Sequence, residues 1–151
     1  MEKIEKINLN NYKKITFEFE KISYELNTTL YSNAILIIIS SSSKISQIFT
    51  LNINLDESEE ENILFDEDLK ENNILMSDCI LGDRRNEKLK FISNIILTNI
   101  YKKIKKKSNK IKTLILSLNL PNEFYSEEIF EIDIKTKELL NIINENINKI
   151  F

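Results

Sequence analysis

The chain has 151 residues, enough for one domain with its own core, and its 42% hydrophobic and 30% charged content is that of a globular protein. It holds no His, one Cys, one Gly and one Pro, which excludes a Ser-His-Asp or Cys-His catalytic arrangement and an internal disulfide, and leaves too few ligands for a zinc site or an iron–sulfur cluster. The formal net charge of −3 hides two opposite blocks: residues 56–83 carry eleven acids and one Lys, and residues 84–112 carry eleven basic residues and one Glu.

Ile, Asn and Lys are over-used, so an Ile here says little more than "apolar". The first residues, Met1–Lys6, carry charges where a signal peptide needs an apolar run. The longest apolar run, Ala34–Ile39, is far too short to span a bilayer. A soluble cytoplasmic protein is expected, with the nucleus as a second location.

In chain order, Ile15, Phe17 and Phe19 alternate with polar residues, as a half-buried strand does. Ile22, Tyr24 and Leu26 alternate in the opposite parity, so Glu20-Lys21 marks either a bulge in one long strand or a break between two. Ala34–Ser40 is apolar on both faces and predicts a strand buried on both sides. Phe49, Leu51, Ile53 and Leu55 alternate again, and these two segments predict a hairpin closed through Ser40–Ser43. Residues 56–73 are dominated by acids and read as a surface loop or insertion. Leu75–Leu81 is the next strand, closed by Gly82-Asp83, where the glycine answers a positive φ or a close backbone approach.

Asp83 or Asn86 can cap the helix that follows. Leu89, Ile92, Ile96, Ile100 and Ile104 give it one apolar stripe, lysines crowd its last turns, and Ser108-Asn109 ends it. Thr113–Ser117 predicts a second central strand, parallel to Leu75–Leu81 across a right-handed helical crossover. Ser126 can cap a final helix with Ile129, Ile132, Leu139, Leu140, Ile143, Ile147 and Ile150 as its stripe. The expected fold is therefore a single α+β domain over 1–151, with an antiparallel-rich sheet of about six strands and two long helices. Two helices cover one face of such a sheet. The second face is left available to a partner.

Ile80-Leu81-Gly82-Asp83, the helix with its basic end Lys106-Lys107-Ser108-Asn109-Lys110, and the strand Leu114–Leu120 together resemble the proteasome assembly chaperone 4 family. That family's pattern is a Ser-rich strand ending in Leu-Leu-Gly-Asp, a helix ending in basic–basic–Thr/Ser-Asn-Lys, and a strand ending in Ser-x-Asn-Leu before a C-terminal helix. Ser77, Leu81, Gly82, Asp83, Asn109, Lys110, Ser117, Asn119 and Leu120 fall on matching positions. The family carries Gly and Trp where this chain has Ile37–Ser43, and here the acidic stretch is extra and the helix longer.

The resemblance implies a non-enzymatic chaperone without a cofactor. It would pair with proteasome assembly chaperone 3 as a heterodimer, dock on α-type subunits of the 20S core and leave when the α-ring matures. A homodimer is the alternative for the isolated chain. Neither nucleic acid nor membrane is an expected partner.

The candidate partner-binding residues are Leu81, Gly82 and Asp83, then Lys102, Lys103, Lys106 and Lys107, then Ser117 and Asn119. Each has a plainer reading: a tight turn and helix cap, a solvated helix end, and hydrogen bonding to backbone at a strand end. Cys79 reads as a small buried apolar residue, and Glu60-Glu61 and Asp66-Asp68 as solvated carboxylates without calcium-loop spacing. The competing function readings are a generic dimeric α/β adaptor of a trafficking or signalling complex, and a small nucleic-acid binder.

Overall fold

A computed structural model describes residues 11–41, 47–53, 75–107, 110–121, 124 and 134–151. The first two strands, β1 (Tyr12–Phe19) and β2 (Ile22–Leu30), form an antiparallel hairpin with Phe19 opposite Ile22. The parity slip is thus a two-residue turn between separate strands. Glu20 (φ 49°) and Lys21 (φ 65°) both take left-handed backbone, the geometry that matches the twist of tight hairpins. The turn realigns the two apolar sets on one face, where the Phe17 and Tyr24 rings stack with centroids 5.2 Å apart.

Four more strands complete the sheet: β3 (Ala34–Ser40), β4 (Gln47–Asn52), β5 (Asp78–Leu81) and β6 (Thr113–Asn119). Their order is β1-β2-β3-β6-β4-β5, and every neighbouring pair is antiparallel except β3 and β6. The expected hairpin of β3 and β4 does not form, because β6 inserts between them. The reason is burial: β3 and β6 are the strands apolar on both faces, so the centre of the sheet suits them both. One-sided β4 is displaced outward. Strands β5 and β6 run in the same direction, as expected, with β4 between them.

Two helices, α1 (Glu87–Lys105) and α2 (Ile134–Ile150), supply the second layer. Asn86 is the N-cap of α1, its Oδ1 accepting from the Leu89 amide at 3.0 Å. All five residues of the predicted α1 stripe are buried, as are Leu139, Leu140, Ile143, Ile147 and Ile150 of α2. The sequence places the end of α1 at Ser108-Asn109, but the helix stops at Lys105 with Lys106 as its C-cap. Leu55, residues 56–73, Ser108, Asn109, Ser126, Ile129 and Ile132, for which the sequence carries expectations, lie outside the described residues. Among the described residues, no helix is long and apolar enough to cross a membrane.

Register places Tyr24, Leu26, Ile37, Ile39, Phe49, Leu114, Leu116 and Leu118 on one face, and all are buried. This is the face under the helices.

The predicted strand Leu75–Leu81 is shorter than expected, and its first residues are held differently. The Leu75 amide donates to Thr98 Oγ1, and the Ser77 amide to Asn94 Oδ1, both at 2.8 Å. Ser77 Oγ also donates to Asn94 Oδ1 at 2.6 Å and lies 3.1 Å from Ser93 Oγ. Ser93, Asn94 and Thr98 are buried on α1, beside its apolar stripe. They supply acceptors to backbone that would otherwise lose its partners on leaving water.

Candidate partner-binding face

The other sheet face carries neither helix. Reading across the register, one row runs Leu81, Ile48, Ser117, Ile38, Asn27, Lys14, and the next runs Asp78, Thr50, Ile115, Leu36, Thr29, Tyr12. The face therefore has two halves. Over β3, β6, β4 and β5 it presents Leu36, Ile38, Ile48, Ile115 and Leu81. Over β1 and β2 it is polar, with a Lys14–Glu25 ion pair at 3.0 Å and a Tyr12–Asn27 hydrogen bond at 2.8 Å. The Glu25 carboxylate raises the Lys14 ammonium pKa, first by the hydrogen bond and then by its charge.

The four inner apolar side chains are half-buried, whereas Leu81 is 53% and its neighbour Ile80 52% exposed. At a strand spacing of about 4.8 Å, and about 3.3 Å per residue, six strands of roughly six residues span roughly 24 by 20 Å. That is the order of size of one side of a standard protein interface, about 800 Å² of accessible surface.

At the centre of the apolar half lies Ser117, 3% exposed, with no hydrogen-bond partner for its Oγ among the described residues. The sequence reading makes it a strand-end residue bonded to backbone. Register instead puts it inside β6, between Ile38 and Ile48. Asn119 does sit at the strand end, where its carbonyl accepts from the Ser41 amide at 3.0 Å.

The nine sequence candidates thus fall into two groups. Leu81, Ser117 and Asn119 converge on the open face, with Gly82 and Asp83 at its rim. Gly82 has φ +109°, and a Cβ there would lie 2.7 Å from Gln47 Cγ, so positive φ and close approach are both present. Gly82→Ala is expected to lower stability by about 2 kcal/mol in urea denaturation, and a loss under about 0.5 kcal/mol would show that the turn relaxes freely. Asp83 Oδ1 accepts from the Arg85 amide at 2.9 Å, which stiffens the turn into α1.

Lys102, Lys103, Lys106 and Lys107 do not join this face. They lie at the other end of α1, roughly 25 Å along the helix, and line a groove of 470 Å³ with Asn144 and Asn148 of α2. Lys107 Nζ donates to the Phe151 oxygen, and Lys13 Nζ to the Ile150 carbonyl. Cys79 is half-buried on edge strand β5, its Sγ 3.4 Å from the Leu81 carbonyl oxygen.

The open face is what sequence reasoning placed least well. Leu36, Ile38, Ile48 and Ile115 are indistinguishable in the sequence from their buried neighbours. The available signal was β3 and β6 being apolar in both parities.

No protein-family model matches this chain, and no curated protein matches it. A solved structure does: a chain of the crystal structure of a novel chaperone complex for yeast 20S proteasome assembly, at 19% sequence identity and a TM-score of 0.52. The match covers 90% of this chain and 98% of that one. At this identity the likeness is one of fold, and it extends over nearly the whole of both chains.

Proposed function

We propose that this protein is a non-enzymatic assembly chaperone of the proteasome assembly chaperone 4 type. It pairs with a chaperone 3-like protein through its open sheet face and promotes α-ring assembly of the 20S proteasome by binding α-type subunits. The observation that carries the reading is the open face itself, whose half-exposed Leu and Ile block needs a cover. The fold shared with a chain of a yeast proteasome-assembly complex supports the same reading, as does the ordered Leu81-Gly82-Asp83 to Leu120 motif set. The mechanism is differential affinity: transient complementary contacts favour correct subunit neighbours and hinder wrong ones. No bond is made or broken.

The test is a tagged pull-down from the native cell at moderate salt, read by mass spectrometry. Recovery of free α-type subunits and one small α/β partner, with few mature β subunits, is the expected result. A stable α/β partner without any proteasome subunit, even after mild cross-linking, overturns the proteasome assignment in favour of a dimeric adaptor.

A further inference from the structure

The open face holds a polar group that the free chain leaves unsatisfied. Ser117 is 3% exposed, and its Oγ has no hydrogen-bond partner among the described residues. Ser93, Asn94 and Thr98, buried on the covered side, are all bonded: Ser93 Oγ donates to the Lys90 carbonyl at 2.8 Å, Asn94 Oδ1 accepts from the Ser77 amide and Thr98 Oγ1 from the Leu75 amide. A hydroxyl out of water without a partner costs free energy that an alanine in its place does not. Register sets Ser117 between Ile38 on β3 and Ile48 on β4, with Ile115 and Asn119 two residues away along its own strand. Serine is the shortest side chain of this group, so it floors a shallow depression between half-buried aliphatics. Among the described residues, the nearest charged side chains of this face, Asp78 on β5 and Glu25 on β2, stand two strands off, about 10 Å at ordinary strand spacing.

We infer, resting on the reading of the open face proposed above, that Ser117 selects the chaperone 3-like partner by bonding the carboxamide of an Asn or Gln that the partner sets against it. A carboxamide both donates and accepts, so it meets a hydroxyl in either orientation. A carboxylate or ammonium there would be buried two strands from any opposite charge, at a cost that one hydrogen bond does not repay. Length argues against a second copy paired through Ser117. Sheets stacked face to face lie about 10 Å apart, so two opposed serines leave their oxygens far beyond hydrogen-bond distance, about 2.8 Å for O–H···O. A longer side chain crosses that gap, and the ends of Ile38 and Ile48 shift rotamer to admit it, as interface side chains commonly do. A partner with an aliphatic residue at this point gains no bond from Ser117, whereas one with a carboxamide makes the bond that the free chain lacks. The difference between the two is selectivity.

The experiment titrates the full chain with the small α/β partner recovered by the pull-down, followed by isothermal calorimetry. Ser117→Ala should melt no lower than the natural chain, because it removes an unpaired hydroxyl. It should nevertheless bind the partner at least about tenfold more weakly, because the partner's carboxamide is then stranded. Truncating the responsible Asn or Gln of the partner to Ala should weaken binding of the natural chain, with no further loss for the Ser117→Ala chain. Ile38→Glu, beside Ser117 in the same face, tests the underlying reading: if it leaves binding unchanged, the face is not the interface and the role of Ser117 falls with it. A pull-down without such a partner removes both. If Ile38→Glu weakens binding while Ser117→Ala binds as tightly as the natural chain, only the role of Ser117 is overturned. That role is also overturned if Ser117→Ala lowers the melting temperature by several degrees, which would show the hydroxyl bonded in the free chain. A homodimer in sedimentation equilibrium that Ser117→Ala splits overturns it too, and makes a second copy the occupant.

Discussion

Ile38→Glu is expected to weaken binding of the proposed chaperone 3-like partner at least about a hundredfold while leaving the isolated chain folded. Ile38 is half-buried at the centre of the open face, in register with Ser117, two residues from Leu36 on its own strand and diagonal to Ile115 on β6. In the free protein a glutamate there keeps its carboxylate in water, so the cost to stability is small. In a complex that covers the face, the carboxylate is desolvated without a partner, which costs several kcal/mol. Each 1.4 kcal/mol is about tenfold in affinity. Isothermal titration of purified partners measures the loss, and a thermal melt of the variant alone verifies its fold. Lys14→Glu, on the polar half of the same face, is the comparison. It should change affinity far less, because exposed rim charges contribute little. If Ile38→Glu pairs as tightly as the natural chain, the open face is not the interface.

Asn94→Ala is expected to destabilise the chain by about 3 kcal/mol, a large effect for a polar substitution. Asn94 Oδ1 is the acceptor for both the Ser77 amide and the Ser77 hydroxyl, and both residues are buried. Removing it strands a main-chain donor away from water, at about 1–3 kcal/mol per group. Alanine is the better helix former by roughly half a kcal/mol, so the measured loss is net of that gain. A double-mutant cycle with Ser77→Ala isolates the hydroxyl share of the contact in urea denaturation, the rest of the loss belonging to the amide. A coupling near zero would mean that Ser77 finds another acceptor. Faster hydrogen exchange at Leu75 and Ser77 is the local counterpart, since both amides are held by α1 side chains rather than by a neighbouring strand.

These two predictions concern opposite sides of one architecture. The covered face makes the chain fold and needs no partner. The open face has the exposed apolar surface that the proposed partner would cover. Half-buried rather than wholly exposed aliphatics suit the transient complex proposed above, because they leave less apolar surface in water when the face is uncovered. Leu81 and Ile80, at the edge strand, are the most exposed apolar residues bordering this face. Gly82 and Asp83 fix the turn that holds them there.

Periodicity and composition were enough to locate β1, β2, β3, β4, β6 and both helices, since alternation and three-to-four spacing are local consequences of which side chains leave water. They also marked β3 and β6 as central, because only a strand flanked on both sides and covered on its faces is apolar in both parities. Asn86, one of two candidate caps with Asp83, and Gly82 as a turn needing positive φ or a close approach were legible for the same local reason. Strand order was not. Whether β4 pairs with β3 or with β6 depends on contacts some seventy residues apart, and both pairings satisfy the same alternation.

Nothing in the spacing of the buried trio Ser93, Asn94 and Thr98 marks it out from the other polar residues of the helix. Only the packing of residues 75–77 against α1 turned these side chains into hydrogen-bond acceptors. The same holds for the site. Ser117 and Leu81 are thirty-six positions apart in sequence, and Ile48 comes to lie between them only when β4 and β6 pair. The lysine run was visible from the start, but its separation from the open face follows from α1 lying on the other side of the sheet. Local chemistry decided what each segment is, and tertiary pairing decided which segments share a surface.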